Sequence, residues 1–186
     1  MVTIAEFIDR LNNRIGHAVS WLALAMVLVG AWNALARFVD RSAGTGLSSN
    51  TWLEAQWYMF AALFLFAASW ALSRNVHVRV DVFYARLSPR GQAWTDLLGT
   101  VLLLIPFCVF LLWAVWPSVL ESWKIKEMSP DPGGLPRWPI RAAVPVAVGL
   151  LLLQGVAKGL RAIAAIAGLL PSDPQQAAEE SGGTNA

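Results

Sequence analysis

Hydrophobic positions fall into four long blocks, roughly His17–Leu35, Leu53–Leu72, Trp94–Trp116 and Ala142–Ala165. A helix rises about 1.5 Å per residue and the hydrocarbon core is about 30 Å thick, so about 20 apolar residues make one crossing. Backbone amides in lipid must be paired within the protein, which leaves helices or a closed barrel. Barrel strands alternate in polarity, and the run Val101–Val109 does not. The pattern predicts four transmembrane helices.

The polar punctuation predicts the rest. Thr3-Ile4-Ala5-Glu6 reads as a capping box. Ile4, Phe7, Ile8, Leu11 and Ile15 then recur at helical spacing, an amphipathic lead-in at the membrane surface continuous with helix 1. Helix 1 is expected to end near Arg37-Phe38, and Thr51-Trp52-Leu53-Glu54 to cap helix 2 as a second box. Val80, Phe83, Tyr84 and Leu87 fit a short surface helix between helices 2 and 3. Ser88-Pro89 supplies an N-cap and first residue for helix 3, and Pro106 is expected to kink it. Ser129–Pro139 is a rigid, turn-rich connector. The fold class is an all-α integral membrane protein. One four-helix domain covers residues 1–170, and a disordered polar tail covers 171–186.

Composition agrees: 56% of residues are hydrophobic and only 14% charged, which is extreme for a soluble domain. The net charge of +2 gives no case for nucleic acid. The single cysteine, Cys108, excludes an intramolecular disulfide. Ala34-Leu35-Ala36 has the form of a signal cleavage site, but Glu6 and Asp9 precede the span, and the span exceeds a signal h-region.

Eight of the fourteen basic residues, Arg10, Arg14, Arg74, Arg79, Arg86, Arg90, Lys158 and Arg161, fall on the side of the termini. The bias favours cytoplasmic termini. Tryptophans at span ends, such as Trp52, Trp94, Trp116 and Trp138, read as interface anchors.

Few residues suggest chemistry. Arg37 and Glu54 share one membrane edge on adjacent helices, where a charge is costly unless paired or wet. They are read as a structural ion pair, against the alternative that Glu54 completes its capping box while Arg37 snorkels. His17 and His77 near the opposite edge raise a haem-bearing electron-transfer subunit as an alternative, although His77 lies beyond helix 2. No cofactor or metal is expected. Gly155-x-x-x-Gly159 fits a close-packing motif, and Ala61, Ala62, Ala67, Ala68 and Ala71 give helix 2 a small-residue surface. A stand-alone carrier would carry polar sites and broken helices near the midplane, whereas the acids Glu54 and Asp96 sit at span edges. The chain reads as a scaffold.

The order of motifs is Arg37-Phe38, then Trp52-x-Glu54, then Phe64-x-x-x-Ala68, then His77-Val-Arg-Val-Asp81. In that order and spacing the chain resembles the small membrane subunit of TRAP transporters (tripartite ATP-independent periplasmic transporters, the DctQ-like family), over roughly Arg10 to Gly159. The resemblance implies a bacterial inner membrane location and a heterodimer with a large membrane subunit that holds the substrate and sodium sites. It also implies transient docking of a periplasmic binding protein, and uptake of an organic anion. His77, Arg79 and Asp81 would form a cytoplasmic surface motif. Leu135, Arg137 and Trp138 would contact the large subunit or the binding protein.

Overall fold

The computed structural model describes residues 2–44, 46–74, 84 and 86–168, with side chains from Ala5 onward. Four helices within it are long and apolar enough to cross a membrane. They are α1 (Val2–Ala43), α2 (Asn50–Ser73), a composite third span and α5 (Trp138–Ile166). The third span joins α3 (Pro89–Gly99) through a π-helical turn (Thr100–Leu104) to α4 (Ile105–Ile125). The surface helix expected between the second and third spans, and the tail 171–186, lie outside the described residues.

The spans run up and down. Their order follows from packing: α5 touches every other element, while α1 and α2 pair on one of its sides and α3–α4 on the other. A central helix must admit neighbours closely, and α5 does so with small residues. Ala147, Gly155, Ala157, Gly159, Ala162 and Ala164 are all buried. A Cβ at Gly155 would lie 2.9 Å from the Leu104 side chain, so that glycine sets the approach of the third span. The outer faces are apolar and open, with Trp21, Phe64 and Trp113 about 70% exposed, as suits lipid-facing side chains.

Helix 1 outruns its expected end near Arg37-Phe38 and continues to Ala43. At 42 residues it is about 63 Å long, roughly twice the hydrocarbon thickness. Its lead-in is continuous with the span, as expected. Ala5 and Ile8 are buried against Ala157 of α5, while Phe7, part of the expected apolar stripe, is 66% exposed. The buried stripe is Ala5, Ile8, Asn12 and Gly16, because the small face of α5 accepts small residues and its Gln154 offers Asn12 a partner. Helix 1 is already helical at Val2, so the Thr3 box does not open it.

Ser88 caps α3 as expected, its Oγ accepting from the Gly91 N–H at 3.3 Å, with Pro89 in the first turn. Helix 2 starts one residue before the Thr51 box. Its cap is Ser49, whose Oγ accepts from the Thr51 N–H at 3.2 Å. Pro106 is accommodated by the π-helical turn just before it, where the Ile105 N–H reaches back to Thr100 O. A proline ring crowds the carbonyl four residues earlier, and the wider five-residue register relieves that crowding.

Candidate functional site

Two polar clasps close the bundle, one at each end. The first forms where α2 begins. Thr51, Glu54 and Tyr58 follow an i, i+3, i+7 spacing and so share one face of α2. All three hold the connector before α5. Thr51 Oγ1 donates to Gly133 O, and Tyr58 OH donates to Leu135 O at 3.4 Å. The Glu54 carboxylate accepts the Leu135 N–H at 2.6 Å and the Ser129 hydroxyl. Arg137 stands beside Glu54 and Tyr58 and supplies the nearby positive charge.

This corrects the expected Arg37–Glu54 pair. Among the described residues no ion pair or hydrogen bond joins the two; Arg37 is exposed on α1, and Glu54 is buried under the connector. The capping-box alternative fails as well, because Ser49 is the cap. A buried carboxylate needs donors, and the connector brings a hydroxyl, an amide and a cation to one spot.

The connector carries its own bracing. Met128 and Pro136 form an isolated antiparallel bridge, flanked by Ser129 N–H to Leu135 O at 3.1 Å and Arg137 N–H to Glu127 O at 2.8 Å. Arg141 then pairs with Glu127 at 2.9 Å and donates to Ser118 Oγ at 3.1 Å. Gly134 is required by close approach, since a Cβ there would collide with Ser129 and come within 2.9 Å of Glu54 Oε1.

Lys126 ends α4 in the left-handed region, with φ of 49°, a conformation that costs a side-chain-bearing residue about 1–2 kcal/mol. Its ammonium lies 4.4 Å from the ring centroids of both Trp123 and Trp138, and those rings meet edge to face at 4.6 Å. Cation–π attraction offsets the backbone cost. Trp138 is thus fixed within the chain. The expected contact residues Leu135, Arg137 and Trp138 are brought together, each half-buried, in one braced loop.

The second clasp lies at the end that holds the chain termini. Asn12 Nδ2 donates to Gln154 Oε1 at 2.6 Å, and Gln154 Nε2 donates to Asp9 Oδ1 at 2.8 Å. Arg161 completes the row through an ion pair with Asp9. Asn13 Oδ1 accepts Trp70 Nε1 at 3.0 Å and Arg74 Nε at 3.3 Å, tying α1 to α2. Gly16 lets the Trp70 ring lie against α1, where a Cβ would overlap it. Lys158 Nζ lies 3.7 Å from Asp96 Oδ1, which ties α5 to α3. His17 packs its ring on Trp70, with centroids 5.7 Å apart. His77, Arg79 and Asp81 lie outside the described residues.

Sequence reasoning missed this second clasp. The signal was present as Asp9/Asn12 and Gln154/Arg161 at helical spacings, each on one face of its helix. Their separation by more than 140 positions hid the pairing.

No curated protein and no solved structure matches the chain. A family model described as "Tripartite ATP-independent periplasmic transporters, DctQ component" matches residues 26–165, which takes in the second half of the first span, nearly all of the other three and the connector clasp. Four bilayer-length helices, braced at both ends and matched over most of their length, make this a multi-pass membrane protein that belongs to the DctQ component family of tripartite ATP-independent periplasmic transporters.

Proposed function

We propose that this small transporter subunit is a static scaffold. It pairs with a large membrane subunit, which binds the solute and couples its movement to sodium. A periplasmic binding protein delivers an organic anion. Both termini face the cytoplasm, and the clasped connector faces the periplasm. His77, Arg79 and Asp81 belong to the cytoplasmic surface. Leu135, Arg137 and Trp138 lie within reach of the large subunit or of the docked binding protein.

One observation supports this reading most: at each end, a buried side chain is bonded across the helices to other groups of the same chain. Glu54 is taken up by Ser129 and Leu135, and Gln154 by Asn12 and Asp9. A carrier moves solute through groups that trade partners between two states. Side-chain networks bonded across helices resist such exchange and hold one shape. The open apolar helix faces then suit lipid and a membrane partner.

Co-purification tests the reading. With an affinity tag on the large subunit and both chains co-expressed, this chain should elute in equimolar amount in mild detergent. If both chains insert into the membrane but this one stays in the flow-through, the scaffold reading fails.

A further inference from the structure

Gly30 and Asn33 share one face of α1, a turn apart, in the half of the bundle nearer the connector. Gln56 of α2 packs against that face. A Cβ at Gly30 would lie 2.4 Å from Gln56 Nε2 and 3.1 Å from its amide carbon, so the Gln56 carboxamide rests on bare helix backbone. Asn33 is only 5% exposed. A helical side chain leans back over the turn before its own Cα. The Asn33 amide therefore leans toward Gly30, and so toward Gln56 Nε2.

The two amides have unmet hydrogen-bonding capacity. Asn33 Oδ1 is buried with no hydrogen-bond partner. Among the described residues Gln56 Nε2 has none either. Native structures pair nearly all buried polar atoms with protein groups or ordered water. The chemistry of the site narrows what can bind there. A cation needs several oxygens and usually a carboxylate among them, and two neutral carboxamides do not supply that set. Asn33 Oδ1 has no open surface for a lipid to reach. Cβ positions three residues apart on a helix are about 5–6 Å from each other. Gln56 Nε2 sits at the Gly30 position and the Asn33 amide at the next. Two hydrogen bonds of about 2.9 Å in series through one oxygen span that separation.

We infer that Asn33, Gln56 and the Gly30 backbone form a binding site for one ordered water molecule. The water donates one hydrogen to Asn33 Oδ1 and accepts a hydrogen from Gln56 Nε2. Its second hydrogen turns to a backbone carbonyl of the Gly30 turn. A buried water needs two to four polar partners, and this set meets the need. The site also has a place in the bundle. The direct side-chain bonds between α1 and α2, from Trp70 and Arg74 to Asn13, lie at the end that holds the termini. The water ties the same two helices in the other half.

Nuclear magnetic resonance on the full chain in lipid nanodiscs tests the site, with isotope-labelled glutamine side chains. The Gln56 amide signal is assigned by its loss in Gln56→Leu. Its protons should show a cross-peak at the water frequency, with the sign of a long-lived bound molecule. Asn33→Leu keeps the side-chain volume close and removes the acceptor, so the cross-peak should be lost. Gly30→Ala should lose it as well, because the methyl group displaces the Gln56 amide. If Gly30→Ala does not fold, Asn33→Leu decides. The Gln154 side-chain signals, set by bonds to Asn12 and Asp9, should stay in place and report an intact bundle. A Gln56 amide without the water cross-peak, or one whose cross-peak persists in Asn33→Leu, overturns the assignment. No cross-peak, with a downfield Gln56 proton that reverts in Asn33→Leu, would put a direct amide–amide bond in place of the water.

Discussion

Glu54 and Leu135 stand 81 positions apart, and the carboxylate of the first accepts the backbone N–H of the second at 2.6 Å. An acid on the second span therefore fixes the path of the chain into the fourth. Glu54→Ala removes the acceptor for both Leu135 and Ser129, and Glu54→Gln keeps the shape but loses the charge. The alanine variant should lower the melting temperature of the purified protein more than the glutamine variant. It should also raise protease sensitivity between Ser129 and Arg137. Equal stability of wild type and Glu54→Ala would show that the contact holds nothing.

Arg37 provides the control. It is exposed and makes no bond to Glu54. In a double-mutant cycle, Arg37→Ala and Glu54→Ala should be additive, as independent sites are, while Glu54→Ala and Ser129→Ala should couple. Coupling of the first pair with additivity of the second would restore the arrangement that the sequence pattern suggests.

Gly16 carries a packing prediction. A methyl group there overlaps the Trp70 ring, and the ring is also held by its bond to Asn13. Gly16→Ala should cost about 1–3 kcal/mol, typical of overpacking. Adding Trp70→Leu should recover part of that loss. Thermal unfolding in detergent, followed by near-UV circular dichroism, reads both.

The amide row behaves as a unit. Gln154→Ala strands the buried Asn12 amide, at about 1–3 kcal/mol, and takes one donor from the partly exposed Asp9. Replacing Asn12 and Gln154 together by leucine removes both halves of one bond, so its cost should be below that of the two single changes added. Simple additivity would mean that the row is not cooperative.

Topology can be read with an impermeant thiol reagent in a Cys108→Ser background. Cys108 is fully buried, so its removal clears the background without opening the surface. Gly134, a natural loop position for a reporter, is a poor choice because a Cβ there strikes Ser129. Asp131→Cys and Leu87→Cys, both at exposed positions, are suitable. In intact cells Asp131→Cys should react and Leu87→Cys should not. The reverse pattern would invert the molecule in the membrane.

Much of the fold is legible in the chain because bilayer length and polarity act locally. The four spans, the Ser88–Pro89 start and the close-packing glycines of α5 each depend on a few neighbouring residues. The clasps do not. Glu54 has a capping-box pattern around it and an arginine at the same membrane edge, yet its donors come from Ser129 and Leu135. No spacing rule links positions so far apart. The lead-in follows a related rule: an apolar stripe predicts burial in general, whereas the small residues and Gln154 of α5 select Ala5, Ile8 and Asn12. The π-helical turn beside Pro106 shows the limit again, since a proline signals strain and its neighbours decide how that strain is relieved.

Solute uptake into proteoliposomes tests the scaffold role most directly. Vesicles are made with this chain alone, with the large subunit alone and with both. The binding protein and a panel of radiolabelled carboxylates are supplied outside under an inward sodium gradient. The scaffold account predicts no uptake by this chain alone and sodium-driven uptake when both subunits are present. Sodium-driven uptake by this chain in the absence of the large subunit would contradict it.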